Sequence, residues 1–267
     1  MNWIFLTVSL SLVAVVLVLL VRYAWGIFFD KNYFPVEWEE AKRQGLISKE
    51  LISLEKNYPD KVRFFNWWFQ IERLKREGVP GDFAELGVYK GDSARIIHRM
   101  DPSRRFHLYD TFEGFNAGDL KDETGHAATY TTRNFADTSL ELARRTIGGN
   151  ENVVFHPGHF PESAVSSQRS AVNLEMRPDR EPPTADRRPA YALVNLDADL
   201  YNPTRAGLEY FYPLLSPGGV IIVHDYNFKW PGIKKAVDEF AKKISGTIVM
   251  VPDMDGSVML FKSLVGR

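Results

Sequence analysis

The chain has 267 residues, a formal net charge of −1 and no cysteine. Its length accommodates one full α/β domain with an appendage, and neither the near-neutral charge nor any basic stripe gives an electrostatic case for a nucleic-acid partner. Without cysteine there are no disulfides, no thiolate metal sites and no cysteine nucleophile.

Residues 4–21 read IFLTVSLSLVAVVLVLLV, interrupted only by Thr7, Ser9 and Ser11. The run approaches the roughly 20 residues that cross a bilayer. A cleaved signal peptide is the rival reading, but it would want basic residues before the apolar run, and Met1, Asn2 and Trp3 supply no charged side chain. Tyr23 and Trp25 behind the run resemble an interfacial belt, and Arg22, Lys31, Lys42 and Arg43 all follow it. The positive-inside rule therefore places the following domain in the cytoplasm, with the first 25 residues as a single-pass membrane anchor.

From residue 30 to about 76 the pattern is helical. Phe64, Trp67, Trp68, Ile71 and Leu74 recur at three- and four-residue spacings. The aromatics Phe64, Phe65, Trp67, Trp68 and Phe69 read as core or lid packing, with substrate stacking as the minor alternative. We assign residues 26–80 to a helical lead-in or lid, and residues 81–267 to the catalytic domain. In that domain, candidate strands at 83–86, 106–109, 153–156, 191–196, 220–223, 246–251 and 257–262 alternate with helical patterns. The helical patterns fall at 92–100, 139–146, 204–215 and 230–243. Such alternation predicts an α/β fold with a seven-stranded, mostly parallel sheet, closed here by a C-terminal antiparallel hairpin. Residues 163–189 are rich in Ser, Arg and Pro and read as a flexible insertion.

Two places carry chemistry. The first is FAELGVYKG at 83–91, a strand entering a turn in which Gly87 and Gly91 let backbone approach a ligand, ahead of a helix. Asp110 ends the next strand, placed to bond a ribose diol. Tyr89 stands where a dinucleotide fingerprint wants its second glycine, and Glu85 would repel a pyrophosphate. Both features favour S-adenosylmethionine, which is cationic and has no phosphate, over NAD.

The second is LVNLDADLYN at 193–202, together with HDYN at 224–227. Adjacent parallel strands would bring Asp197 beside His224 and Asp225, a candidate divalent-cation site in which the oxygen ligands favour Mg²⁺ and the imidazole suits Mn²⁺ or a heavier ion better. Such an ion would acidify an acceptor hydroxyl, with Asp197 or a nearby His or Glu as general base. The bland alternative has these aspartates capping loops and helices, and Asp199 in particular suits a helix cap.

The stretches AELGVYKGDSA, LYDTFEGF, FADTSLE, LDADLYNPT, LSPGGVIIVHDYN, WPGIKKAVDEF and MDGSVMLFK together resemble the macrocin O-methyltransferase (TylF) family. The resemblance implies a Rossmann-like class I fold and metal-assisted O-methylation of a sugar or other vicinal hydroxyl. By that resemblance Glu85, Gly87, Tyr89, Gly91 and Ser93 line the methionine end of S-adenosylmethionine. Asp110 holds the ribose with Thr111 and Phe112 beside it, and Gly158, His159 and Phe160 border the adenine. Asp197, His224 and Asp225 bind the metal, and Glu113 faces the acceptor. Three departures stand out: His224 where the family usually has aspartate, the long insertion, and an anchor that points to a lipid-linked or envelope glycan as acceptor. A small-molecule acceptor and a homo-oligomer stay open. So do two other classes: a membrane-anchored glycosyltransferase using Asp197 and Asp199 as a D-x-D pair, and a scaffold that lost its chemistry.

Overall fold

The computed structural model describes residues 3–29, 34–164, 190–244 and 246–263. Most of the predicted insertion, residues 165–189, lies outside them. The chain divides into two compact units, Met1–Ser48 and Lys49–Arg267. In the first, α1 (Trp3–Phe29) is followed by α2 (Val36–Arg43). The stretch Trp3–Trp25 has mean hydropathy 3.0 and none of it is buried, so α1 is long and apolar enough to cross a membrane.

The second unit opens with α3 (Lys49–Asn57) and α4 (Lys61–Arg76), so the long helical pattern is cut into pieces. Asp60 makes one of the cuts: its carboxylate accepts the Arg63 N–H at 2.9 Å and starts α4. Then follow β1 (Asp82–Leu86), α5 (Asp92–Met100), β2 (Phe106–Asp110), a 3₁₀ turn (Gly125–Thr129), α6 (Leu140–Ile147), β3 (Val153–Pro157) and β4 (Tyr191–Leu196). The chain continues with α7 (Tyr201–Leu214), β5 (Leu215–Val223), α8 (Pro231–Ala241), β6 (Thr247–Val251) and β7 (Ser257–Phe261). The stretch Leu215–Gly219, which reads in sequence as a helix end and turn, is instead the first half of β5.

The seven strands form one sheet in the order β3-β2-β1-β4-β5-β7-β6, with β7 antiparallel to both of its neighbours. Every residue of β4 is buried, as expected of a central parallel strand covered on both faces. Leu208 and Phe211 of α7 and Ile233 and Val237 of α8 join Val194, Leu196, Ile221 and Val223 in the core. Each such side chain is worth about 1.5–3 kcal/mol of burial.

The order in which strands are laid into the sheet reverses between β1 and its parallel neighbour β4, which makes their carboxyl ends the expected ligand crevice. Register fixes what meets there, since Leu86 pairs with Leu196 and Leu196 with Val223. Gly87, Asp197 and His224 are therefore the first residues beyond three level strand tips. Backbone bonds lock the arrangement: Asp197 N–H donates to Leu86 O at 2.9 Å, and His224 N–H to Leu196 O at 2.9 Å.

Candidate active site

A cavity of about 370 Å³ opens at these tips. Gly87, Tyr89, Gly91, Ser93, Asp110, Thr111, Gly158, His159, Phe160, Asp197 and Asp225 all line it. The two candidate sites are thus halves of one. Gly87, at φ +90, passes so close to the β4 tip that a Cβ there would stand 1.9 Å from the Asp197 carbonyl oxygen. No other residue fits that crossing.

On the glycine side, Asp110 ties the turn down. Its Oδ2 accepts the N–H groups of Val88 at 2.7 Å and Tyr89 at 2.9 Å, and its Oδ1 accepts that of Phe112 at 2.6 Å. A carboxylate has about four lone-pair sites, so capacity for a diol remains. Glu85 is fully buried and accepts Asn195 Nδ2–H at 2.7 Å, while its Oε2 has no hydrogen-bond partner. Burial pushes its carboxyl up to about 8.

On the other side, one carboxylate oxygen from each of Asp197, Asp199 and Asp225 lies within 4.8 Å of the others. His224 is not among them. Its Nε2 meets Asn195 Oδ1 at 2.6 Å and its Nδ1 meets Ser257 Oγ at 2.8 Å, so both ring nitrogens are occupied below the cavity floor. Asp199 takes the third place. It caps nothing, because the first amide of α7, Tyr201 N–H, is accepted by Glu123 Oε1 at 2.6 Å. Asp199 and Asp225 both adopt φ of +59°, and Tyr89 adopts +51°. Left-handed backbone in non-glycine residues costs of the order of 1–3 kcal/mol each and concentrates at functional sites.

Arg63 of α4 supplies the positive charge that sequence reasoning missed. Its guanidinium lies 3.9 Å from Asp197, 3.2 Å from Asp253 and 3.4 Å from Asp255. Burial raises the carboxyls of Asp197, Asp199 and Asp225, with Arg63 opposing. One guanidinium against five carboxylates leaves the site short of positive charge.

Three further placements differ from expectation. Glu113 is exposed and does not line the cavity, and neither do the buried Glu85 and Phe112. The five clustered aromatics of α4 stay outside it, in line with their reading as packing and not substrate stacking: four are buried and Phe69 is 39% exposed. The aromatic lining comes instead from residues 111–139, whose Phe115, Tyr130 and Phe135 wall the cavity alongside Trp230. Tyr89 Oη–H donates to Asp137 at 2.7 Å, and His159 Nε2 pairs with Asp119 at 2.7 Å, pinning this segment to the rim.

The family model described as macrocin-O-methyltransferase (TylF) matches residues 59–181 and 182–261. The chain is 30% identical over 196 residues to mycinamicin III 3″-O-methyltransferase of Micromonospora griseorubida, covering 68% of this chain and 69% of that protein. It is 28% identical over 204 residues to a tetracenomycin rhamnosyl 4′-O-methyltransferase of Streptomyces olivaceus, covering 72% and 71%. Among solved structures, the O-methyltransferase NovP superposes with TM-score 0.58 at 28% identity, over 76% of this chain and 80% of that one.

Proposed function

This chain belongs to the macrocin-O-methyltransferase family, and from that premise we propose that it methylates a sugar hydroxyl with S-adenosylmethionine as donor and a divalent cation as assistant. The observation that carries the reading is the close approach of Gly87 to the Asp197 backbone, too tight for a Cβ, which makes the glycine cradle and the carboxylate cluster walls of one cavity. The Streptomyces olivaceus relative is named for methylating a rhamnosyl ring, and the cluster suits a similar vicinal-hydroxyl acceptor.

The residues fit both absent groups. Glu85, with its unpartnered buried oxygen, would answer the donor's positive charge, assisted by Gly87, Tyr89, Gly91 and Ser93. Asp110 and Thr111 would hold the ribose, and Gly158, His159 and Phe160 would border the adenine. Three carboxylate oxygens form a hard donor set, so Asp197, Asp199 and Asp225 would hold Mg²⁺ or Mn²⁺. Without a ring nitrogen in the set, the case for a softer ion disappears. Bound there, the cation offsets buried charge and lowers the pKa of a neighbouring hydroxyl, while the donor supplies the methyl group.

The chain's own contribution is alignment and proton transfer. Alignment of donor and acceptor is worth up to about 7–11 kcal/mol in favourable systems. Asp197, at the wall of the cavity beside the acceptor position, takes the hydroxyl proton. Phe115, Tyr130 and Phe135 shed water from the reacting pair. The α1 helix anchors the protein in a membrane with the catalytic unit on the cytoplasmic side, and the acceptor is a lipid-linked or envelope glycan.

Calorimetry on the full chain tests the core of this reading. S-adenosylhomocysteine binding, with Mg²⁺-dependent label transfer from S-adenosylmethionine to glycan extracts, is expected. Binding of UDP or GDP in its place would overturn it in favour of glycosyl transfer.

A further inference from the structure

Below the cavity floor, one hydrogen-bonded chain runs from the glycine side of the site to the carboxylate side. Trp67 Nε1–H donates to Asn195 Oδ1 at 2.9 Å, and an indole nitrogen can only donate. That fixes the Asn195 amide: Oδ1 faces Trp67 and His224, and Nδ2–H donates to Glu85 at 2.7 Å. His224 Nε2 must then carry a proton to meet Asn195 Oδ1 at 2.6 Å. On its far side Nδ1 pairs with Ser257 Oγ at 2.8 Å, and Ser257 bonds Asp253 through both its hydroxyl and its N–H. Asp253 accepts Arg63 Nε–H at 3.2 Å, and Arg63 faces Asp197 at 3.9 Å. Trp67 packs edge-on against the imidazole, with ring centroids 5.9 Å apart, so the ring cannot swing away.

We propose that His224 is a positioning residue that ties the cofactor-side Glu85 to the Arg63–Asp197 side of the site, and that it is not a ligand to the cation. Neither nitrogen offers a lone pair to the carboxylates: one carries a proton towards Asn195, and the other is turned to Ser257. The imidazole spans the floor with one nitrogen serving each half of the site. Arg63 and Trp67, one turn apart on α4, bind the chain at Asp253 and at Asn195.

The two nitrogens can be separated by substitution. The amide nitrogen of His224→Gln reaches about as far as Nε2 and keeps the bond to Asn195. That of His224→Asn reaches about as far as Nδ1 and keeps the bond to Ser257. Three readouts are taken on the full chain: calorimetry with S-adenosylhomocysteine, Mn²⁺ binding by electron paramagnetic resonance, and the indole N–H resonance of Trp67, assigned with Trp67→Phe. Losing a hydrogen bond that orients a ligand-holding group costs about 10-fold or more in affinity. His224→Asn is therefore expected to weaken S-adenosylhomocysteine about tenfold with Mn²⁺ affinity within about twofold. It should also move the Trp67 resonance. His224→Gln is expected to do the reverse: Mn²⁺ weakens about tenfold, while S-adenosylhomocysteine affinity and the Trp67 resonance stay near those of the parent chain.

Loss of Mn²⁺ binding in both variants with unchanged S-adenosylhomocysteine affinity would make His224 a ligand and overturn the proposal. An unmoved Trp67 resonance in His224→Asn would overturn it equally. The affinity readouts rest on the methyl-transfer reading, whereas the resonance does not. If the parent chain binds no S-adenosylhomocysteine, that reading falls and the resonance alone decides the role of His224.

Discussion

The two halves of the site are held by different means. On the glycine side the backbone does the work: Gly87 and Gly91 take positive φ, Asp110 gathers the loop N–H groups, and few side chains have a choice of direction. On the carboxylate side, three loops and one helix bring charged side chains together, and their directions are set by partners as distant in sequence as Arg63 and Asp253. The first half tolerates little change in shape but is indifferent to much of the chemistry around it. The second depends on a balance of charge that no single element contains.

Four substitutions probe that contrast, in descending order of expected effect. Gly87→Ala should break both halves at once, because the new Cβ would meet the Asp197 carbonyl at 1.9 Å. We expect more than about 3 kcal/mol of destabilisation by urea unfolding, from strained φ and backbone clash together. Asp225→Asn should damage only the carboxylate half. Groups that merely orient a metal ligand cost 10–100-fold, so metal-dependent turnover should fall by about 100-fold or more while S-adenosylhomocysteine affinity is kept. Unchanged turnover would remove Asp225 from the metal set.

Glu85→Gln should damage only the glycine half, lowering S-adenosylhomocysteine affinity about tenfold through loss of one charge-assisted contact. It also carries a pH signature in the unliganded protein. The Glu85 carboxyl sits near 8 in the fold against an ordinary 4.5, so the native state holds a proton that the unfolded chain releases. Its contribution is full below about pH 4.5 and is lost as pH rises towards 8. Over that window Glu85→Gln should lose stability less steeply than the parent chain, as read by thermal melts; parallel curves would show that Glu85 is ionised in the fold. Last, Asp60→Ala removes the cap of α4 and a 2.8 Å bond from Met254 N–H, with about 1–2 kcal/mol expected in urea. A weakened Mn²⁺ site beside that modest loss would show that Arg63 is positioned by its helix start.

The same contrast explains what was legible in the sequence. Strand and helix positions were readable because apolar periodicity reports burial directly, and α5 occupies the expected residues 92–100. Gly87, Gly91 and Asp110 were readable because a βα turn constrains residue type at fixed offsets. The direction of His224 was not, since nothing local distinguishes an imidazole that turns towards the cavity from one that turns beneath it. Its orientation is decided by Asn195, Ser257 and Trp67, all distant from it in sequence. Asp199 looked like a helix cap because it precedes α7, yet its φ of +59° turns it aside and Glu123 takes the task from a distant loop. Arg63 was hidden by its neighbours, a cation directly before aromatics that fill the core.

That capping arrangement has a consequence of its own. Leu200 stands at the start of α7 with no side-chain cap, so the amide of Tyr201 depends on a carboxylate lent by the segment that walls the cavity. Were that segment to move away from α7, the amide would be left to solvent. Its deuterium uptake thus becomes a gauge of how often the chamber is open, legible in the bare protein before any acceptor has been found.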